Sequence, residues 1–364
     1  MTDAAAATAP AIAAAPAETA STRPWVEKHR PASLDGVIAH EDILSTLRRL
    51  MASNSLPHLL FYGPPGTGKT TTIQACARHI FGQARIKGSV LELNASDDRG
   101  IDVIRHEIKD FASTGQVLFG GGGNSMKLVI LDEADQMSHD AQAALRRVIE
   151  KFTKNVRFCI ICNHVNKIIP AVQSRCTRFR FGPVKKAAMI GRLAEIATAE
   201  NVPFDDKGLQ AAIKLSAGDM RRCLNIMQAA ALSMKAITEQ TVFQSTGNPT
   251  PDDVRAILET CLSANFADAW ASVSERMHLL GLSTVDLVRE IHAMLQRMDL
   301  PSEAKCFCFV QLADVEYNLN AGTSEAVALA ATLGVMQLVR ESISHRKALK
   351  DMVPDLLPLP AGQF

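Results

Sequence analysis

The sequence predicts an α/β domain with a parallel sheet, followed by two all-helical domains. Three observations predict it. Short apolar runs at 59–62, 90–94, 128–131 and 158–163, and a charged–aromatic alternation at 178–181, are separated by helical patterns at 69–81, 101–113 and 138–152. Beyond 181 the strand signals stop and only helical periodicity remains, at 185–200, 208–216, 219–234 and in about five segments from 252 to 350. Gly182-Pro183 and Asn248-Pro249-Thr250-Pro251 break the chain between these regions.

Each element has a physical reason. Parallel strands are covered on both faces by their crossover helices, so they read as short, continuous apolar runs rather than alternating ones. Strands alternating with helices imply such a sheet. Ser138 stands where a helix N-cap is needed before the 138–152 pattern. The resulting division is a tail at 1–22, an α/β domain at 23–182, a small helical lid at 183–247, a helical collar at 248–350 and a second tail at 351–364. A chain of 364 residues is too long for one small core, and 47% hydrophobic residues suffice to build several.

Composition narrows the function classes. The net charge of +1 argues neither for nor against nucleic acid, so any such surface must be local. No stretch is read as reaching the apolar length of a membrane span. Residues 1–22 are Ala-rich, carry Asp3 and Glu18 and have no basic residue before Arg23, unlike a signal or transit peptide. Of the eight cysteines, Cys159 and Cys162 have CxxC spacing, but no second pair or His follows at zinc-ligand spacing. They are read as reduced core residues.

The chemistry begins at Gly63-Pro64-Pro65-Gly66-Thr67-Gly68-Lys69-Thr70, which matches G-x-x-x-x-G-K-[ST] between a strand and a helix. Glycines let the backbone wrap phosphates without Cβ clashes, and loop amides plus the helix N-terminus then face the anion. Lys69 would reach the outer phosphates of ATP, and the Thr70 hydroxyl would ligate Mg²⁺. The run Lys127-Leu128-Val129-Ile130-Leu131 delivers Asp132 and Glu133 at the carboxyl end of a strand, where ligands of open α/β sheets bind. Asp132 would orient Mg²⁺ through its waters, and Glu133 would act as general base on the attacking water.

Three further features each admit two readings. Asn163, leaving the fourth strand, fits a residue that positions the lytic water or senses the γ-phosphate, and equally a turn residue. In Gly218-Asp219-Met220-Arg221-Arg222, Asp219 reads as an N-cap, while two arginines in the first turn oppose the helix dipole. Either phosphate compensates them, or Asp219 and solvent do. Arg175, in Ser174-Arg175-Cys176, fits a surface salt bridge, and equally a charge supplied in trans to a neighbour's ATP.

These features, in this order, resemble the AAA+ ATPases and, more narrowly, the small subunits of replication factor C. Also carrying the likeness are Pro24-Trp25-Val26-Glu27-Lys28-His29-Arg30-Pro31, Leu93-Asn94-Ala95-Ser96-Asp97-Asp98-Arg99-Gly100-Ile101 and Ala144-Leu145-Arg146-Arg147. The likeness runs from about 24 to 230, and the last third matches only in being helical. Asp97-Asp98-Arg99 and Thr153-Lys154-Asn155-Val156-Arg157-Phe158-Cys159 look most like the member numbered three in fungi and five in animals. His29 departs from the tyrosine usual in the family near the adenine, while Val26 and Arg30 are retained.

The resemblance implies a nuclear subunit of a hetero-pentameric clamp loader that opens a sliding clamp with ATP and Mg²⁺ and loads it on primer–template DNA. It implies ATP contacts from Val26, Arg30, 63–71, Asn163 and Arg221, including Thr71. Arg175 resembles the finger that completes a neighbour's site, and Asn163 and Arg221 resemble the two sensor residues. DNA phosphates would meet Arg99, Arg105 and Lys109, with amides near Ile101. Arg105 and Lys109 share a helix face, but the interleaved Asp102, Glu107 and Asp110 also fit a solvated, salt-bridged helix. The clamp contact would lie around 136–151. A self-assembling motor such as a homohexameric branch-migration helicase would share the loop and acidic pair, but no added DNA-reading domain follows the lid.

Overall fold

The computed structural model describes residues 23–53, 55–95, 101–113 and 126–345. The 1–22 and 351–364 tails, Arg99 and the 120–123 glycine run lie outside the described residues. Five strands, β1 (Leu59–Tyr62), β2 (Val90–Asn94), β3 (Lys127–Asp132), β4 (Val156–Cys162) and β5 (Thr177–Arg180), form one sheet in the order β2-β3-β4-β1-β5. All four pairings are parallel.

Side-chain alternation along these strands separates two cores. Leu59, Phe61, Leu128, Ile130, Cys159 and Ile161 face Leu44, Leu47, Ile73 and Cys76 from helices Glu41–Ala52 and Lys69–Ser89. Leu60, Val129, Leu131, Phe158 and Ile160 face Ile108, Leu145 and Ile149 from helices Ile101–Ser113 and His139–Phe152. The period of two puts alternate residues on opposite faces, and the apolar runs are continuous because both faces are covered. The edge strand β5 leaves Thr177, Arg178 and Arg180 exposed, the charged edge that discourages pairing with other chains. Lys127 is buried at the start of β3, where its Nζ donates to the Phe111 carbonyl at 2.6 Å and closes the Ile101–Ser113 helix.

Helical order runs past the expected 69–81 segment to Ser89, with a break at Gly82, whose φ of 67° only glycine adopts readily. Ser138 caps its helix by accepting from the Ala141 amide. Helices Lys186–Ala199, Asp206–Ser216, Met220–Met234 and Glu239–Thr246 then enclose a separate core of Met189, Leu193, Leu209, Cys223 and Met227. Trp25, from the short helix Trp25–Lys28, is buried in this core, and its amide donates to Gln228 Oε1 at 3.1 Å.

Helices Pro251–Ser263, Phe266–Leu280, Thr284–Leu295, Ser302–Asn320 and Glu325–His345 form a third core. Thr250 caps the first of them, with Pro251 at the first helical position, which explains the Pro-rich break as a helix start. The Glu325–His345 helix corrects one expectation: its stretch Glu325–Ser344 is long and apolar enough to cross a membrane by length and composition. Leu329, Leu333, Met336 and Val339 bury in the collar core, which accounts for one face of the helix, while Val327 and Ile343 stay exposed. All eight cysteines are free thiols, six are buried, and Cys306 is exposed, which corrects its reading as a core residue.

His58 sits beside Phe158, its Nδ1 accepting from the Phe158 amide at 3.2 Å while Nε2 has no partner. Burial, with repulsion from Arg157, pushes its pKa down to about 4. The folded chain therefore holds this ring neutral where the unfolded chain protonates it. Stability should fall as pH drops below about 6.5 and the loss should level off near pH 4. Urea midpoints at pH 7.5 and 5 should show a smaller drop in His58→Gln than in the wild-type chain. Equal drops would remove His58 as the cause.

Candidate active site

The parallel register brings the functional residues to one edge of the sheet. Tyr62 pairs with Cys162, so the loop after β1 and Asn163 after β4 leave side by side. β3 pairs with β4 through Leu131 and Ile160, which places Asp132 and Glu133 at the same edge. This is the carboxyl edge, where order reverses around β1 and a crevice opens.

Lys69 organises the loop. Its buried Nζ donates to the Gly63 carbonyl at 2.7 Å, the Pro64 carbonyl at 2.8 Å and Asn163 Oδ1 at 3.0 Å. Burial pulls its pKa below the usual lysine value, and the Asp132 carboxylate opposes that shift. Thr70 Oγ1 donates to Asp132 Oδ2 at 2.7 Å, and the other oxygen of Asp132 accepts from the Glu133 amide at 2.9 Å. A hydroxyl and a carboxylate converging in this way supply the hard oxygen donors that suit Mg²⁺. Among the described residues no cluster of three or more His, Cys, Asp or Glu could hold a metal. Mg²⁺ asks for less from protein, since phosphates and waters complete its shell.

Glu133 adopts left-handed backbone, with φ 53° and ψ 34°, and its Oε2 accepts from Gln136 Nε2 at 2.9 Å. A cavity of about 290 Å³ runs from this edge to the lid. Its walls include Val26, His29, Arg30, 65–71, Asp132, Glu133, Asn163, Arg192 and Arg221. Gly63 and Pro64 enter through the Lys69 bonds rather than as walls. Arg30 Nε donates to Thr71 Oγ1 at 3.4 Å. The His29 imidazole hydrogen-bonds Glu200, which also pairs with Lys28 at 2.8 Å, so this departure from tyrosine ties the N-terminal segment to the lid.

The lid meets the loop directly. The Met220 amide donates to the Gly66 carbonyl at 3.1 Å, and Asp219 Oδ1 accepts from the Arg222 amide at 3.0 Å. Two arginines at a helix N-terminus cost about 0.3 to 1 kcal/mol each, and an Asp cap contributes about 1 kcal/mol. The cap therefore offsets about half or more of that cost without phosphate, and the case for Arg221 rests on its place in the cavity wall. Arg175 does not line the cavity. Its guanidinium binds Glu150 at 2.5 Å and the Ala171 carbonyl at 2.6 Å, so the surface salt bridge is present. Lys109 is exposed on the Ile101–Ser113 helix; the Ile101 and Arg105 side chains, like Arg99, lie outside what is described. Two residues of this edge have no ATP-site role in the sequence reading: Asp135, which ends the acidic motif, and Gln136, which opens the expected clamp-contact region. Their acidic and amide side chains beside Glu133 were the only signal available.

Fold and site together define a P-loop ATPase with a helical lid. The chain matches the family model "ATPase family associated with various cellular activities" over residues 59–184 and the replication factor C C-terminal domain over 249–335. It is 49% identical over 327 residues to replication factor C subunit 5 of Mus musculus, covering 90% of this chain and 95% of that one. It is 46% identical over 318 residues to replication factor C subunit 3 of Schizosaccharomyces pombe, covering 87% and 92%. A RuvB variant from Thermotoga maritima shares the fold at a TM-score of 0.50 and 17% identity, over 68% of this chain and 86% of that one. The chain belongs to the replication factor C subunit family, in the branch numbered 5 in animals and 3 in fungi, and is an AAA ATPase.

Gly66 and Gly68 allow a graded test. Gly66 has φ +66°, and a Cβ there would fall 1.6 Å from Asp219 Oδ1; Gly68 has φ +91° but open space. Gly66→Ala should strain the loop and displace the lid cap, weakening ATP affinity by roughly tenfold or more, and Gly68→Ala less. Fluorescent-nucleotide titration checks this; equal affinities in both variants would contradict the steric account.

Proposed function

We propose that this chain is one subunit of a hetero-pentameric clamp loader of the nucleus. It binds and hydrolyses ATP so that the assembly opens a ring-shaped sliding clamp and loads it on primer–template DNA, in replication and repair. The observation that carries the reading is the convergence of Lys69, Thr70, Asp132, Glu133 and Asn163 at one sheet edge, under a lid that contributes Arg221.

In this reading the 63–68 amides and the Lys69 ammonium hold the ATP phosphates. Val26, Arg30 and Thr71 complete the walls around the nucleotide. Thr70 and Asp132 would hold Mg²⁺, Asp132 through water, and bound there it would supply neutralisation of phosphate charge. Glu133 takes the proton of the attacking water. Asn163 orients that water and reads the outer phosphate, while Arg221 brings lid charge to it. Leaving Gln136 frees Glu133 for the base role. Arg175 serves the ATP of an adjacent subunit, released from Glu150 when the interface forms. What supports this is its absence from the chain's own cavity together with its partial exposure.

DNA contacts are assigned to phosphates through Arg99, Arg105, Lys109 and the amide of Ile101, which would read shape rather than sequence. The clamp is assigned to the 136–151 region, whose helix begins directly after the acidic turn.

Two substitutions test the assignment. Glu133→Gln should bind ATP as tightly as wild type and lower turnover at this site by at least about 100-fold. Equal turnover, after correction for contaminating ATPase, would remove Glu133 as base. Arg175→Ala should leave ATP binding to this chain unchanged and slow hydrolysis in the neighbouring subunit. Impairment confined to this chain's own site would defeat the in-trans role.

A further inference from the structure

We infer that Asp135 is a positioning residue for hydrolysis, holding the turn that carries Asn163 against the turn that carries Glu133; this rests on the proposed roles of those two residues. Asp135 lies two residues after Glu133, in the short 3₁₀ segment Ala134–Gln136. Its Oδ2 accepts from the His164 amide at 3.2 Å, across 29 residues of sequence. His164 immediately follows Asn163, and the Asn163 side chain is the one that meets the Lys69 ammonium. One carboxylate therefore ties the exit of β4 to the exit of β3.

Farther along, buried Gln142 donates to the Met137 and Lys167 carbonyls and accepts from the Ile169 amide, so the Asp135 bond is the tie that lies nearest Asn163. The segment Val165–Lys167 that begins after His164 is a single 3₁₀ turn, and His164 itself makes no side-chain cap for it. Backbone at this point is not held by the sheet, because β4 ends at Cys162. Oδ1 of Asp135 is shut off from solvent and has no hydrogen-bond partner. A surface acid kept only for solubility would turn both oxygens to water. This one keeps an oxygen buried, and its charge attracts Lys69. Lys69, Asn163 and Asp135 thus form a bracket, with the lysine on the side chain of Asn163 and the aspartate on the backbone beyond it.

The role predicts a separation between binding and turnover. No hydrogen bond joins Asp135 to the phosphate loop or lid among the described residues, and its charge is the smaller of the two carboxylate attractions on Lys69, so ATP affinity should stay within about threefold. Misplacing Asn163 by a fraction of an ångström should lower turnover by roughly 10- to 100-fold. Asp135→Ala removes the acceptor. Asp135→Glu keeps the charge but moves the acceptor by one methylene, and serves if the alanine variant does not fold. Asp135→Asn keeps an acceptor oxygen in place and should recover turnover to within about threefold of wild type.

The measurement uses the complex recovered through a tag on this chain, with the Glu133→Gln complex as the background that isolates turnover at this site. Fluorescent-nucleotide affinity and urea midpoints are read on the same samples. The expected result is loss of turnover in Asp135→Ala and Asp135→Glu at near-normal affinity, recovery in Asp135→Asn, and no further loss when Asp135→Ala is added to Asn163→Ala. Unchanged turnover in both disrupting variants would overturn the inference. So would an effect that adds fully to that of Asn163→Ala, or parallel loss of affinity, turnover and stability. If Asn163→Ala and Glu133→Gln themselves leave turnover unchanged, the underlying site assignment fails, and the inference with it.

Discussion

Parallel pairing of β1 with β4, and of β4 with β3, is the constraint on which the rest of the molecule depends. It fixes three strand exits along one edge. The phosphate loop, Asn163 and the Asp132–Glu133 pair come from segments far apart in sequence, and only this register brings them together. Lys69 then links two of the exits through the Gly63 and Pro64 carbonyls and Asn163, and Thr70 links to the third through Asp132. The apolar interiors of the strands make the arrangement stiff, since each central strand is covered on both faces. Side chains at the edge inherit that stiffness, which is the condition for electrostatic preorganisation.

The lid is a separate core attached at few points, and one of those points is the phosphate loop itself. The Gly66 carbonyl accepts from the first residue of the helix that carries Arg221. Any adjustment of the loop is therefore transmitted to the orientation of that helix. The N-terminal segment adds a second tie through Trp25 and the contacts of Lys28 and His29 with Glu200. Nucleotide, loop and lid form one mechanical unit in this description, while the collar is built around its own core.

Much of this was legible in the sequence for identifiable reasons. The strands stood out because burial on both faces demands unbroken apolar runs, as in Leu128-Val129-Ile130-Leu131. The loop stood out because glycine spacing and a lysine encode phosphate chemistry locally. Asp219 and Ser138 were readable as caps because the cap and its amide lie three residues apart. Helix Glu41–Ala52 was not read: His40 enters it in left-handed backbone without a side-chain cap, and only Leu44 and Leu47 are buried. Helix Glu239–Thr246 was missed too, its capping box built from two threonines rather than the usual Ser/Thr and Glu. Asp135 was silent because its partner lies 29 residues away, and the Lys69–Asn163 bond spans 94. The membrane-length apolar helix at Glu325–His345 shows the converse limit, since composition alone does not distinguish a collar core from a span.

In the proposed function the ATP site is shared: the cavity, base and sensors belong to this chain, and the completing arginine of each site comes from a sibling. Native mass spectrometry of the complex recovered through a tag on this chain, in ATP and Mg²⁺, tests that most directly. The account predicts one copy of this chain with four different AAA siblings. Six identical copies, or a lone monomer with robust ATPase activity, would contradict it.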